Sequence, residues 1–241
     1  MTWPNDVADL EMPTRAVPPW RASDVCATLG IWIAAQVVGA LLSLAVPDLD
    51  PGLLTILALA LTSCGAVGGV ALVGALRGID WQRMGLLPVT REWVWHCCLL
   101  GLGLFVLRVI LMYGLVSVAP VLESGADLLS EALVPEGTLA RLAVMLLGSL
   151  AAPLSEELLF RGVFYNALRR RWSFWPAALV SSLVFGGFHL IPMQVIAAAV
   201  LGVALCWTYE RSHSLWAPVV VHAVNNLIGF ILTFAGLAIL D

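Results

Sequence analysis

The chain contains no lysine and little charge of either sign. Its 241 residues include 12 arginines and 16 acidic residues, and charged residues make up only 12% of the total. The formal net charge of −4 is modest, so the composition indicates neither a nucleic-acid partner nor a polybasic lipid-binding tail. Because arginine is the only strongly basic residue, each arginine is a marker of membrane topology.

Two common metal-binding patterns are also missing. The five cysteines lie in apolar runs without a CxxC pair, and the spacing HExxH does not occur. The first absence favours reduced thiols over a disulfide or a metal site. The second argues against the usual form of zinc protease.

Apolar residues are abundant instead. They form 61% of the chain and give a mean hydropathy of +0.95, so a soluble fold would expose too much apolar surface. A membrane-spanning helix needs about 20 mostly apolar residues to cross a hydrocarbon core of about 30 Å. The stretches that qualify or nearly qualify are 25–46, 52–76, 93–118, 139–165, 174–191, 193–209 and 215–240. We therefore predict an all-α, polytopic membrane helical bundle with about seven transmembrane helices.

Two of these stretches are short. Residues 174–191 and 193–209 are separated only by Pro192, which is also consistent with one interrupted hairpin that does not reach the far surface.

Arginine placement predicts the orientation of the bundle, because cytoplasmic loops collect positive charge. With the N-terminus inside and the C-terminus outside, Arg141 is the one arginine left in an outer loop. The cytoplasmic segments then contain Arg15, Arg21, Arg77, Arg83, Arg91, Arg169, Arg170, Arg171 and Arg211. The outer segments contain Asp48, Asp50, Glu123, Asp127, Glu131, Glu136 and Asp241. The arginine-only, tryptophan-rich composition favours a bacterial cytoplasmic membrane as the location.

Three short clusters place ionisable or amide side chains inside apolar stretches. They are PLSEELLFRG at 153–162, FGGFH at 185–189 and HAVNN at 222–226. A charged group within a membrane span costs about 2.5 to 3.5 kcal/mol on insertion scales and marks a candidate functional site.

Helical spacing indicates what the clustered side chains can do. Glu157 and Arg161 are four residues apart, so they share a face and can pair. Glu156 is rotated by about 100° from Glu157 and can face a different cavity. His222 and Asn226 lie one turn apart and present two polar donors, which suits the binding of an oxyanion.

The clusters must also meet at one depth in the membrane. At about 1.5 Å per residue from the cytoplasmic loops, Glu156 lies about 20 Å deep, His189 about 22 Å, His222 about 12 Å and Asn226 about 18 Å. Convergence near the middle of the membrane is therefore expected. Pro153 is expected to bend or open its helix and turn the carboxylates toward a cavity.

In their order and spacing, EELLFR, FGGFH and HAVNN resemble the EExxxR, FxxxH and HxxxN motifs of the CAAX-protease and bacteriocin-processing (CPBP) family of intramembrane glutamate endopeptidases. The resemblance covers residues 139–230, and the first three helices share only their apolar character. It implies that Glu156 and His189 activate the attacking water, and that His222 and Asn226 hold the tetrahedral oxyanion.

The resemblance also implies that Glu157 and Arg161 support the site and that no metal or other cofactor is required. Similar family members process prenylated proteins, bacteriocin or signalling-peptide precursors, or sorting signals. The expected partners are therefore the lipid bilayer and a membrane-anchored or lipidated protein or peptide precursor, with no nucleic acid.

The predicted organisation follows from these motifs. Residues 1–24 form a polar cytoplasmic segment, and the first hydrophobic run is expected to be a retained anchor, because no cleaved signal peptide precedes it. Residues 25–138 form N-terminal membrane helices with an interfacial segment at 78–92, and residues 139–241 form the catalytic helical core.

Other interpretations stay open at this level. Glu156, His189 and His222 are also of ligand types that hold zinc in an intramembrane protease. Buried Glu, His and Arg side chains also serve proton-coupled transporters, and a non-catalytic immunity protein would use the same pocket to bind peptides. Taken singly, each motif is explained equally well by an ion pair or hydrogen bond between helices. Arg108 is a further intramembrane charge without an assigned partner.

Overall fold

The computed structural model describes residues 18–123 and 134–240. Most of the predicted N-terminal segment lies outside these ranges, as do the predicted outer residues Asp127, Glu131 and Asp241. Within them the chain is helical and has no β-strand, which confirms the predicted all-α bundle.

Eight helices account for most of the described chain, and a 3-10 turn at Pro120–Glu123 follows the fourth. The N-terminal helices are α1 (Ala22–Ala45), α2 (Pro51–Arg77), the short α3 (Trp81–Met84) and α4 (Arg91–Val118). The C-terminal helices are α5 (Thr138–Arg169), α6 (Phe174–Gly187), α7 (Pro192–Ser212) and α8 (Trp216–Leu240).

Local sequence signals set several helix ends. The Asp50 side chain accepts a hydrogen bond from the Leu53 N–H, and Pro51 occupies the first position of α2. Gly78 ends the same helix with a φ of 64°, a left-handed conformation that glycine adopts without steric cost. Thr90 caps α4 in the same way as Asp50 caps α2.

Six of these helices are long and apolar enough to cross a membrane, namely α1, α2, α4, α5, α7 and α8. Large apolar side chains such as Leu44 on α1 and Ile110 on α4 lie exposed on the bundle surface. Lipid tails can cover these faces, whereas water would leave a large apolar patch exposed. The protein is therefore an integral, multi-pass membrane protein.

Helix α6 is shorter than the predicted span at 174–191. Its 14 residues extend only about 21 Å, which is less than the thickness of the hydrocarbon core. The chain then turns tightly, since the Ile191 N–H donates to the His189 carbonyl and Leu190 has a φ of 61°. The predicted short stretch at 174–191 thus falls short of a full span, whereas α7, predicted at 193–209, extends over Pro192–Ser212 and is long enough to cross a membrane.

Helix α5 lies at the centre of the bundle. Its side chains Leu159, Phe160, Val163 and Tyr165 are fully buried, and it contacts α2, α6, α7 and α8. The motif residues Glu157 and Arg161 on this helix are therefore held inside the protein rather than facing lipid.

Polar contacts close one end of the bundle. The Trp20 indole N–H donates to the Gly162 carbonyl of α5 at 2.8 Å, and the Tyr209 hydroxyl of α7 donates to the Met84 carbonyl of α3 at 3.0 Å. The predicted interfacial segment 78–92 is therefore packed against α7 through α3.

Candidate active site

Helix α5 is not a uniform α-helix. Two wide π-type turns, Leu147–Ala151 and Leu158–Tyr165, flank a short α-helical segment, Ala152–Glu157. Turns of this kind inside helices are frequent at functional sites. The enclosed segment carries both glutamates of the first motif.

Pro153 accounts for a free backbone acceptor in this region. Proline has no N–H to donate, and in a π-type turn the partner of that N–H is the carbonyl five residues earlier. The Gly148 carbonyl therefore has no helical donor at this position. The Asn226 amide on α8 donates to it instead, with Nδ2 3.0 Å from the oxygen. This bond holds the Asn226 side chain in place.

Glu157 and Arg161 form a fully buried ion pair, in agreement with their predicted pairing. The Arg161 Nη1 atom lies 3.0 Å from Glu157 Oε1, and Nη2 donates to the Gly202 carbonyl of α7 at 3.0 Å. The guanidinium carbon also lies 4.7 Å from the centre of the Phe185 ring on α6. His222 Nδ1 of α8 is 3.0 Å from the same Glu157 oxygen. The pair thus connects four helices.

The neighbouring carboxylate has a different environment. The Glu156 side chain is 21% exposed, whereas that of Glu157 is 0% exposed. Glu156 Oε2 lies 3.8 Å from His222 Nε2, which is longer than a direct hydrogen bond. His222 consequently has one carboxylate near each ring nitrogen.

His189 lies at the turn after α6. Its Nδ1 atom is 3.1 Å from the Phe185 carbonyl oxygen, and a carbonyl only accepts hydrogen bonds, so Nδ1 carries the proton. In the neutral ring, Nε2 is then the free acceptor. This bond to a backbone carbonyl leaves the other ring nitrogen available for chemistry.

One cavity of about 480 Å³ is lined by Glu156, His189, His222 and Asn226. These residues come from α5, the turn between α6 and α7, and α8. The volume lies within the range of about 300 to 1,000 Å³ that is usual for ligand sites. The three motifs therefore share one pocket, and the catalytic role of each residue stays a prediction.

Further polar groups at this pocket were not part of the predicted site. Arg108 of α4 and Gln194 of α7 line the cavity, and the Gly148 carbonyl binds Asn226. A lone charge in an apolar stretch had singled out Arg108 but not its surroundings. No sequence pattern had singled out Gln194 or Gly148.

The same residues can be tested as metal ligands. Over residues 18–123 and 134–240, no three His, Cys, Asp or Glu side chains are grouped so that they could hold a metal ion. Glu157, the carboxylate closest to His222, is already bound by Arg161. The described residues thus offer no ligand set for the zinc alternative.

Comparison with known proteins places these motifs in a family context. Residues 138–228 match the family described as Type II CAAX prenyl endopeptidase Rce1-like. Over 83 residues, the chain is 28% identical to a Bacillus subtilis (strain 168) protein named "Putative membrane peptidase YdiL", and the match covers 34% of each chain.

Two further relatives are bacterial as well. Over 109 residues, the chain is 32% identical to an "Uncharacterized 24.3 kDa protein" of Escherichia coli, covering 43% of this chain and 48% of that one. Over 84 residues, it is 30% identical to "UPF0177 protein YaiF" of Lactococcus lactis subsp. lactis (strain IL1403), covering 34% of this chain and 37% of that one. The chain thus matches between about a third and a half of the length of these relatives.

No solved structure matches the chain significantly. The family match begins at the first residue of α5 and ends within α8, so it includes all three motifs. Residues 138–228 of this chain, which carry all three motifs, are therefore similar to the Rce1-like family of type II CAAX prenyl endopeptidases.

Proposed function

We propose that this protein is an intramembrane endopeptidase that hydrolyses a peptide bond in a membrane-anchored or lipidated protein or peptide precursor. The observation that carries the proposal is that Glu156, His189, His222 and Asn226 line a single cavity. The family match and the relative named as a membrane peptidase support a protease of the CAAX type.

In the proposed mechanism, Glu156 and His189 activate a water molecule. The water donates one proton to the Glu156 carboxylate while its oxygen attacks the carbonyl carbon of the scissile bond. His189 Nε2 accepts a hydrogen bond from the other O–H of the water, because Nδ1 already donates to the Phe185 carbonyl. Glu156 then returns its proton to the leaving amine, so one group serves as base and acid in turn.

The developing oxyanion is held by Asn226 and His222. One N–H of the Asn226 amide donates to Gly148, and the second N–H is available to the substrate. Glu157 accepts a hydrogen bond from His222 Nδ1 and orients the ring with Nε2 on the side of Glu156. When the ring carries both protons, Nε2 donates to the oxyanion. Donors that are held in advance at such a site contribute strongly to rate.

The proposed location is a bacterial cytoplasmic membrane, and this is supported by the bacterial source of the three relatives. In such a cell, prenylated proteins are improbable substrates. A peptide precursor or a membrane-anchored sorting tail is the proposed substrate class.

Simple measurements distinguish the glutamate mechanism from its alternatives. A chelator should leave peptide cleavage unchanged, whereas inhibition that zinc reverses would favour the metalloprotease. Proton-linked solute uptake that persists in Asn226→Ala would favour a transporter. Peptide binding by the wild type without any cleavage would favour the immunity protein.

The central experiment compares the wild type with Glu156→Gln in cells that co-express candidate membrane-anchored precursors. Mass spectrometry of membrane extracts should find new peptide termini with the wild type and none with Glu156→Gln. Glu136→Gln is the matched control, because the same change is made at an exposed carboxylate outside the cavity. New termini of equal abundance with Glu156→Gln would overturn the proposal.

A further inference from the structure

Arg108 is a charge within a membrane helix that the proposed mechanism does not use. It lies 17 residues after Arg91, the first residue of α4, which corresponds to about 26 Å along the helix. No other charged side chain occurs between Cys97 and Val118. An intramembrane arginine is costly to insert and usually serves a pathway, a partner or a ligand.

Unlike Arg161 and Arg169, Arg108 has no carboxylate partner among the described residues. Arg161 pairs with Glu157 at 3.0 Å, and Arg169 pairs with Glu210 at 2.7 Å. Within residues 18–123 and 134–240, Arg108 takes part in no hydrogen bond or ion pair. The described part of the chain therefore leaves its guanidinium available to a ligand.

The cavity gives this guanidinium a setting in which it would bind an anion. Arg108 lines the same cavity as Glu156 and is the only arginine among the described lining residues. The lining next to it on α4 is apolar, formed by Leu104, Leu107, Leu111 and Met112. In apolar surroundings, a guanidinium binds a carboxylate through two parallel N–H to oxygen bonds.

We propose that Arg108 binds a carboxylate of the peptide substrate and thereby determines which peptide bond reaches Glu156. This inference rests on the proposed function, because the occupant of the cavity must be a peptide. The carboxylate is either the C-terminal one or that of an Asp or Glu side chain, and both present the same pair of oxygens.

Binding tests this proposal without requiring turnover. The protein is the Glu156→Gln variant in detergent micelles, and the probes are fluorescent apolar decapeptides in three forms. The first form has a free C-terminal acid and no Asp or Glu, the second has a C-terminal amide and one Glu, and the third has a C-terminal amide and no acid. We expect one or both acidic forms to bind about 10- to 100-fold more tightly than the third. The first two forms distinguish the source of the carboxylate.

Substitutions at Arg108 in the same background assign the effect to this side chain. Arg108→Gln should bind all three peptides with equal affinity, whereas Arg108→Lys should retain part of the preference. Arg141→Gln is the matched control and should keep the full preference, since Arg141 bonds to the Pro135 carbonyl outside the cavity lining. Affinity for the third peptide should be unchanged in every variant.

Several outcomes would overturn the proposal. These are equal affinity for acidic and amidated peptides, absence of binding by all three, or a preference that survives in Arg108→Gln. Loss of co-purified anionic phospholipid in Arg108→Gln, without a change in peptide preference, would instead assign the site to a lipid phosphate. If Arg108→Gln fails to fold, the peptide series on the parent protein still decides the question. Failure of the proposed function is seen separately, as cleavage that persists in Glu156→Gln.

Discussion

The polar side chains of the cavity are each oriented by a partner behind them. His189 and Asn226 bond to backbone carbonyls, and His222 bonds to the buried Glu157. Such support keeps reactive groups in position before substrate binds, which is the main source of electrostatic catalysis. Substitution of a reactive group and substitution of its support should therefore have different effects.

Asn226→Ala should reduce the turnover number by about 10²- to 10³-fold, because one oxyanion donor is lost. The Michaelis constant should change little, since the donor acts mainly in the transition state. Steady-state cleavage of an identified substrate measures both constants. Thr233→Val is a suitable control, because it removes a hydroxyl from the same cavity and helix and should leave turnover close to the wild-type value. An equal loss in both variants would contradict the assignment of Asn226.

Glu157→Gln should lower the free energy of unfolding, because it leaves the Arg161 charge buried without its partner. Breaking a buried ion pair on one side costs about 3 to 5 kcal/mol. Thermal unfolding in detergent measures the loss. Glu156→Gln should unfold at nearly the wild-type temperature, since its carboxylate is partly exposed in the cavity. Equal destabilisation by the two substitutions would mean that their environments do not differ as described.

At the scale of helices, the arrangement of the candidate site depends on departures from regular helical geometry and on the close approach of two helices. The wide turns of α5 surround Pro153 and the two glutamates. Helices α6 and α7 approach each other at Gly186, where an added Cβ would lie only 2.5 Å from the Val195 carbonyl oxygen. Both features affect where the side chains of the candidate site lie.

Pro153→Ala should weaken catalysis without destabilising the fold. The new N–H competes with Asn226 for the Gly148 carbonyl oxygen, so the amide loses its support. Replacing a proline within a helix also removes a cost of about 3 kcal/mol or more. We therefore expect lower turnover together with an equal or higher unfolding temperature. A parallel loss of activity and stability would contradict this explanation.

Gly186→Ala should destabilise the protein by about 1 to 3 kcal/mol, because the methyl group cannot fit against a backbone oxygen. It should also lower activity, because His189 lies three residues after Gly186 and would shift together with the end of α6. Gly187→Ala is the adjacent control, because a Cβ there meets no atom within 4 Å. The control should be neutral or should stabilise α6 by up to about 1 kcal/mol. Unfolding temperature and cleavage rate are measured for both variants.

At the scale of the whole molecule, two polar contacts lie at the same end of the bundle. Trp20 contacts α5 there, and α3 contacts α7. Arg169 pairs with Glu210 at the same end. The positive-inside rule predicts that this end is cytoplasmic. The orientation remains a prediction and is open to a direct test.

Reporter fusions test that orientation. Alkaline phosphatase fused after Asp241 should be active, because the C-terminus is predicted to lie outside, and green fluorescent protein at the same position should be dark. A fusion of each reporter after Arg171 should give the opposite pair of results. An active phosphatase at both positions would contradict the predicted topology.

The sequence by itself determined that this chain is a helical membrane protein and which residues are candidates for its site. Apolar run length specifies membrane helices, and the pairing of Glu157 with Arg161 follows from a spacing of one helical turn. The three motifs were also visible as polar groups in apolar stretches. All of these are local properties, so a linear pattern is sufficient to show them.

Only the tertiary structure decided how the candidates are arranged. It revealed that α6 is too short to span a membrane, that His222 lies between two carboxylates, and that Asn226 is held by the Gly148 carbonyl. It also showed Arg108 in the lining of the same cavity. These are contacts between residues distant in sequence, and they depend on which helix faces pack together, a choice that helical periodicity alone leaves open.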